Sequence, residues 1–265
     1  MTLFNMIEIL QKVHHRLTSC FCEFACSNVF AFPLSQRKVE LHVHLDGSFD
    51  NELLHSYITS YKDQVYDRLP KEAHLPWDDS TIPIRSAIEK CQNAQDLHAL
   101  FTCRGKRSLH EMIKCFEHFI PIVRGDLDLI ETGAFDFVKR QASQNVVYTE
   151  VRYSPHLLAD GGDYAGDTKV DPLPVIRAVT KGLRRGEKEF PGIKVNQILC
   201  CIAWRPDWAD DVIHLANMMK DDFPCAVVAV DIAAGEEHFD KVGDHSSRID
   251  CLFYGQSSLE SLLHQ

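Results

Sequence analysis

The chain has 265 residues, 45% of them hydrophobic and 25% charged, with a formal net charge of −10. That composition belongs to a globular protein with enough chain for one large domain or two small ones. The acidic balance, without a long Lys/Arg cluster, excludes nucleic acid as the main partner, because phosphate binding needs a basic footprint, and no apolar run approaches the roughly 18 residues of a membrane-spanning helix.

Residues 1–37 are partly apolar, but Glu8 and the Lys12–Arg16 stretch interrupt any signal-like core. They are expected to form a loosely ordered or helical N-terminal extension rather than a signal peptide. The ten cysteines are scattered. Neither "CFCEFAC" (Cys20, Cys22, Cys26) nor "LCC" (Cys200, Cys201) has the spacing of a zinc finger or ribbon. Reduced thiols and a cytoplasmic location are the simpler expectation.

The first strand signal is "KVELHVHLDGSF", from Lys38 to Phe49. A strand has a side-chain period of two, so Val39, Leu41 and Val43 share one face while His42 and His44 share the other. Asp46 continues the histidine side, and Gly47 ends the run where a turn or a close backbone approach is wanted. Two readings are open: a strand with two satisfied histidines and a turn aspartate, or a set of metal and substrate ligands. The clustering of H-x-H-x-D at the end of an apolar strand favours the ligands.

A helical pattern follows in residues 51–69, with Leu53, Leu54 and Ile58 on one side. Residues 70–83 hold Pro70, Pro76 and Pro83 and read as loop. Residues 85–101 read as a helix. In "SLHEMIKCFEHFIPIV", Ser108 and Glu111 form the S-x-x-E capping box that opens a helix. Leu109, Met112, Ile113, Phe116, Phe119 and Ile120 then recur at helical spacing, and Pro121 disfavours continuation. Periodicity alone makes this stripe core.

Residues 126–143 read as another helix leading into "NVVYTEVRYSP", a strand that Pro155 ends. There Tyr148, Glu150 and Arg152 share a face, and a Glu150–Arg152 pair would be either a structural bridge or the floor of a polar site. Helix and strand alternate twice more. The four strand signals, at residues 38–44, 145–152, 194–202 and 225–232, predict a parallel sheet paired in sequence order. His42 and His44 then fall at the edge where Asp231 ends the fourth strand. No linker divides the chain.

These stretches together resemble the adenosine deaminase family. "KVELHVHLDGSF" is similar to that family's opening strand, and "VVYTEVRYSPHLLA", "ILCCIAWRPDW" and "VVAVDIAAGEE" are similar to three further signatures in the family's order. The resemblance runs from Lys38 to Asp240, and it implies an α/β fold, a (β/α) barrel of which this sequence carries about the first four strands of eight. It divides the chain into an extension (1–37), an incomplete barrel domain (38–240) and a divergent tail (241–265). It also implies zinc-dependent hydrolytic deamination of an adenosine-type nucleoside, deoxyadenosine included, to inosine and ammonia. His42 and His44 match the family's first two metal ligands. Asp46 matches a residue that binds the nucleoside sugar, with His44 beside it. A purine-contacting glycine falls on Ala234 or Gly235. The stripe of Leu109, Met112 and Phe116 resembles the family's apolar lid over substrate.

The family's next signature, a His-Ala-Gly-Glu stretch with a third metal-ligand histidine and the catalytic glutamate, does not occur in these residues, so no catalytic residue is assigned. The residues after Asp240 run "KVGDHSSRIDCLFYGQSSLESLLHQ". His238, His245, Glu236 and Glu237 are expected to be ordinary loop residues. The family reaction is therefore expected to be weak or absent in this chain, with a nucleoside-binding or subunit-pairing fragment and another metal-dependent amidohydrolase as the alternatives.

Overall fold

The computed structural model describes residues 36–74, 81–103, 105, 108–161 and 171–234. The N-terminal extension, the tail and the candidate residues Gly235, Glu236, Glu237, His238 and His245 lie outside them. Four strands form one sheet: β1 (Lys38–His44), β4 (Val146–Tyr153), β5 (Lys194–Ile202) and β6 (Val227–Ala233), in the order β1-β4-β5-β6. Every pairing is parallel, as the alternating pattern predicts. Among the described residues, β1 and β6 each have one neighbour in this sheet.

The connections are helical. Between β1 and β4 come α1 (Asn51–Ser60), α2 (Lys62–Arg68), α3 (Ile84–Glu89), α4 (Ala94–Phe101), α5 (Leu109–Lys114), α6 (Phe116–Val123) and α7 (Leu127–Ser143). The short α8 (Pro155–Leu158) and then α9 (Leu173–Glu189) join β4 to β5, and α10 (Ala209–Met219) joins β5 to β6. No described helix is long and apolar enough to cross a membrane.

Side-chain alternation decides which face of the sheet meets the helices. Val151 and Tyr153 of β4, Val195, Leu199 and Cys201 of β5, and Val227 of β6 are buried in the main core, with Val43, Val230 and Ile232 packed against it. Gln197 is the polar exception on this face and is fully buried. Its amide donates to Thr180 Oγ1 (2.9 Å) on α9 and to the Cys225 carbonyl (2.5 Å), and its carbonyl accepts from Tyr153 Oη (2.8 Å). A buried amide with its groups satisfied costs little and fixes register between strand and helix.

Helices α7 and α9 pack closely because glycine removes the intervening carbon. A Cβ added at Gly182 would lie 2.2 Å from the Glu131 carbonyl oxygen, and one at Gly186 would lie 2.5 Å from Val138 Cβ. Asp126 caps α7, accepting from the Leu129 N–H at 2.9 Å, and Tyr57 and Arg68 tie this cap back to α1 and α2.

Several local expectations change. Val39 does not join Leu41 and Val43 but is 57% exposed, because the β1–β4 register slips at Lys38/Val39 and again at Glu40/Val43. The pattern over 51–69 is broken at Tyr61, and that over 85–101 is broken before Asn93, whose side chain caps α4. The proline loop holds a two-residue antiparallel pairing, β2 (Ala73–His74) with β3 (Thr81–Ile82). Pro121 does not stop its helix. The chain breaks at Cys115 instead, and Pro121 sits inside α6 with His118 to Val123 all buried. Burial of that run outweighs the roughly 3 kcal/mol that an interior proline costs.

Replacing Gly182 by Ala is expected to destabilise the fold by about 1–3 kcal/mol, because the methyl group meets backbone rather than a movable side chain. Gly192→Ala, where an added Cβ meets nothing within 4 Å, is the control. A lower urea midpoint for the first variant and not for the second checks the packing.

Candidate functional site

The parallel ladder places His44 beside Arg152 and Cys200 beside Asp231 on the face turned away from the helices. Arg152 is the centre of this face. It is a buried cation, 8% exposed, with one guanidinium nitrogen on the Asp231 carboxylate and the other donating to the Leu41 carbonyl at 2.8 Å. It pairs with Asp231 rather than with Glu150. Glu150 instead accepts from Tyr148 Oη (2.7 Å), which in turn accepts from the Asn196 amide (3.1 Å). Both sequence-level readings of Glu150 and Arg152 resolve into a polar floor, held by an ion pair with a different strand.

His42 and His44 lie on one side of β1, with ring centroids 5.7 Å apart and planes tilted by 44°. Both sense the charges of Arg152 and Asp231, which places them where the strand period predicts. Their protonation is split. Burial, Arg152 and His44 hold His42 below the ordinary histidine value. Burial also pulls His44 down, but the Asp46 carboxylate outweighs it and the net shift is upward.

Asp46 sits in the 3-10 turn after β1 (Leu45–Gly47) and is buried. One carboxylate oxygen accepts from the Ser154 N–H at 3.0 Å. The other is 3.4 Å from His44 Nδ1 and has no hydrogen-bond partner. This buried oxygen faces the His44 imidazole and forms an ion pair with it when His44 is protonated.

Phe116 joins this group. A Cβ built on Gly47 would lie 3.2 Å from Phe116 Cζ and 3.9 Å from His44 Cβ, so the ring covers the turn directly after Asp46. Met112, one turn earlier, is 53% exposed. Of Leu109 only the backbone, as the first residue of α5, is described. The structure therefore brings His42, His44, Asp46 and Phe116 together.

Ala234 lies just past β6 at the same end of the sheet, against a small cluster of Leu157, Ile202 and Trp208. Its φ of 67° is a left-handed conformation natural to glycine. Sequence reading passed over His156. Its Nε2 is 3.0 Å from Asp211, its ring stacks on Trp208 with centroids 4.9 Å apart, and burial holds it below the ordinary histidine value. The helix cap at Ser154, whose hydroxyl accepts from the Leu157 N–H, was the local signal that this segment is fixed.

The donor set decides what metal fits. Two imidazoles on one strand face suit zinc, and they fill two coordination positions. Among the described residues, no group of three His, Cys, Asp or Glu side chains could hold a metal ion.

Ala234→Gly is expected to raise stability by about 0.5–1 kcal/mol, the relief of a left-handed alanine less the entropy of a new glycine. A higher urea midpoint checks it. A lower one would mean that the methyl group's packing on the Trp208 cluster dominates.

Comparison with known proteins identifies the family. The family model described as adenosine deaminase matches residues 84–248. The adenosine deaminase of Xenopus laevis is 35% identical over 211 residues, covering 75% of this chain and 49% of the relative. The crystal structure of an arabidopsis N6-mAMP deaminase is 23% identical, with a TM-score of 0.52 over 77% of this chain and 52% of that one. A crystal structure of an amidohydrolase from Burkholderia ambifaria with bound Zn is 18% identical, with a TM-score of 0.53 over 82% and 50%. The chain spans about half the length of the curated relatives it matches. It is a member of the adenosine deaminase family.

Proposed function

We propose that residues 38–240 form the first four strands of a (β/α) barrel whose reaction is the hydrolytic deamination of adenosine, deoxyadenosine included, to inosine and ammonia. The observation that carries this reading is the group at the end of β1: two imidazoles on one face, with the buried Asp46 carboxylate against one of them, at the carboxyl end of a parallel sheet. In barrels of parallel strands, that end carries the chemistry.

His42 and His44 would supply two nitrogen ligands to a zinc ion. Zinc would supply a water whose pKa is lowered to about 7, the nucleophile that a poor amine leaving group requires. Asp46, oriented by the Ser154 N–H, would accept a sugar hydroxyl. Phe116 would wall the purine side, with Leu109 and Met112 continuing that wall and Ala234 offering backbone to the ring. Burial, helped by Arg152, would keep His42 unprotonated, and Arg152 would fix the floor beneath both histidines.

The 265 residues contain no His-Ala-Gly-Glu stretch, and a catalytic zinc typically takes three protein ligands and a water. A purine-transforming site also needs a carboxyl group that moves protons, and general acid–base help is typically worth about a hundred- to ten-thousandfold. This chain alone is therefore proposed to be weak or inactive in catalysis, while retaining the sugar-binding corner.

The experiment follows adenosine loss at its ultraviolet band, with excess zinc, beside a full-length relative and a His42→Ala, His44→Ala variant. The expected result is turnover at least about a hundredfold below the relative and unchanged in the variant. Strong turnover that vanishes in the variant would contradict the inactive reading and direct attention to His238, His245 and Glu236. A second measurement, calorimetric titration with inosine, should show binding that Asp46→Ala weakens by about tenfold, the scale of one lost hydrogen bond to a charged group.

A further inference from the structure

The end of α4 packs against the start of α6. His118 Nδ1 lies 3.3 Å from the Leu100 carbonyl oxygen, and the Phe101 ring lies 6.3 Å from that of His118 and 6.0 Å from that of Phe119. Leu100 and Phe101 thus face His118 and Phe119. Cys103 follows Phe101 by two residues and Cys115 precedes Phe116, so this contact brings the two cysteines into the same region. The two thiols are close enough that Cys103 acts on the Cys115 thiol, after burial the largest influence on it. Cys115 is buried in the break between α5 and α6, and Cys103 is half-buried against the same core.

We propose that Cys103 and Cys115 form a redox pair that closes to a disulfide, fastening the α5–α6 joint to the end of α4. Two neighbouring thiols need little backbone movement to reach disulfide geometry. The co-reactant is a peroxide. The Cys103 thiolate attacks one peroxide oxygen: an S–O bond forms, the O–O bond breaks, and the departing hydroxide is protonated to water. The Cys115 sulfur then attacks the Cys103 sulfur. The S–S bond forms, the S–O bond breaks, and the leaving hydroxide takes the Cys115 proton as a second water. The pair loses two electrons and two protons, and one hydrogen peroxide becomes two waters. A dithiol reverses the step by exchange.

The order of attack follows from exposure. Cys103 is the more accessible thiol, whereas burial, and then Cys103 itself, push the Cys115 thiol up to about 11. Cys115 is thus suited to resolve a sulfenic acid formed beside it rather than to meet the oxidant first. The bond would act on a meaningful joint. Phe116 follows Cys115 directly, and its ring lies on Gly47 next to Asp46 and His44.

The test treats the purified 265-residue chain with one equivalent of hydrogen peroxide, alkylates the remaining thiols, and digests with trypsin without reduction. The expected product joins residues 91–104 to residues 115–124, with fragmentation placing the bond on Cys103 rather than on Cys91. Dithiothreitol should separate the two peptides, and Cys103→Ser should abolish the link. Oxidation should also raise the melting temperature of the unsubstituted chain, and dithiothreitol should reverse that shift. Recovery of Cys115 in alkylated form with Cys103 carried on to sulfinic acid would overturn the proposal, as would a link from Cys91. The readout is independent of zinc and of deamination.

Discussion

One buried guanidinium organises the face on which the candidate site lies. Arg152 joins β4 to β6 through Asp231 and β4 to β1 through the Leu41 carbonyl, so three of the four strands meet at a single side chain. Removing Asp231 would leave the buried guanidinium without its charge partner, a cost that the partial exposure of Asp231 reduces below that of a fully buried pair. The same cation sets the electrostatics of the histidines. It helps to hold His42 neutral, while Asp46 reverses the effect at His44. Adjacent imidazoles of one strand thus acquire opposite protonation tendencies from a few neighbouring charges.

The other face of the sheet follows different rules. Its strand residues are mostly apolar, and they are covered by helices that approach closely at Gly182 and Gly186. Gln197 is the one amide buried there among the described residues, and it is bonded to Thr180, Cys225 and Tyr153. Packing stabilises that face, while the polar face carries a cost that Arg152, Asp231, Glu150 and Tyr148 offset among themselves. The candidate site therefore rests on a packed layer, with His42 and His44 at the strand end where the turn of Asp46 and Gly47 begins.

What was legible in the sequence divides along the same line. A period of two is a local signal, so the four strands, their parallel order and the shared side of His42 and His44 could be read directly. The role of Asp46 came from family resemblance, but its burial and its bond to Ser154, 108 residues away, could not be read. Arg152 was visible as a charge in a strand. Its partner was not, because Asp231 is 79 residues further along the chain. The breaks at Tyr61 and Cys115 were missed because helical periodicity continues through them, and only tertiary packing bends the chain there. Pro121 misled for the same reason: propensity counted against a helix that burial supports.

The central claim is that His42 and His44 act together as a two-nitrogen arm of a zinc site. Nitrogen-15 resonances of selectively labelled histidine, followed during titration with zinc, address it directly. Metal binding to an imidazole nitrogen moves that nitrogen's shift far more than a remote charge does. The account predicts that the His42 and His44 ring nitrogens move together, saturate at one common zinc concentration, and return on chelation, while buried His118 stays still. Zinc-dependent shifts confined to other histidines, with His42 and His44 unmoved, would contradict it.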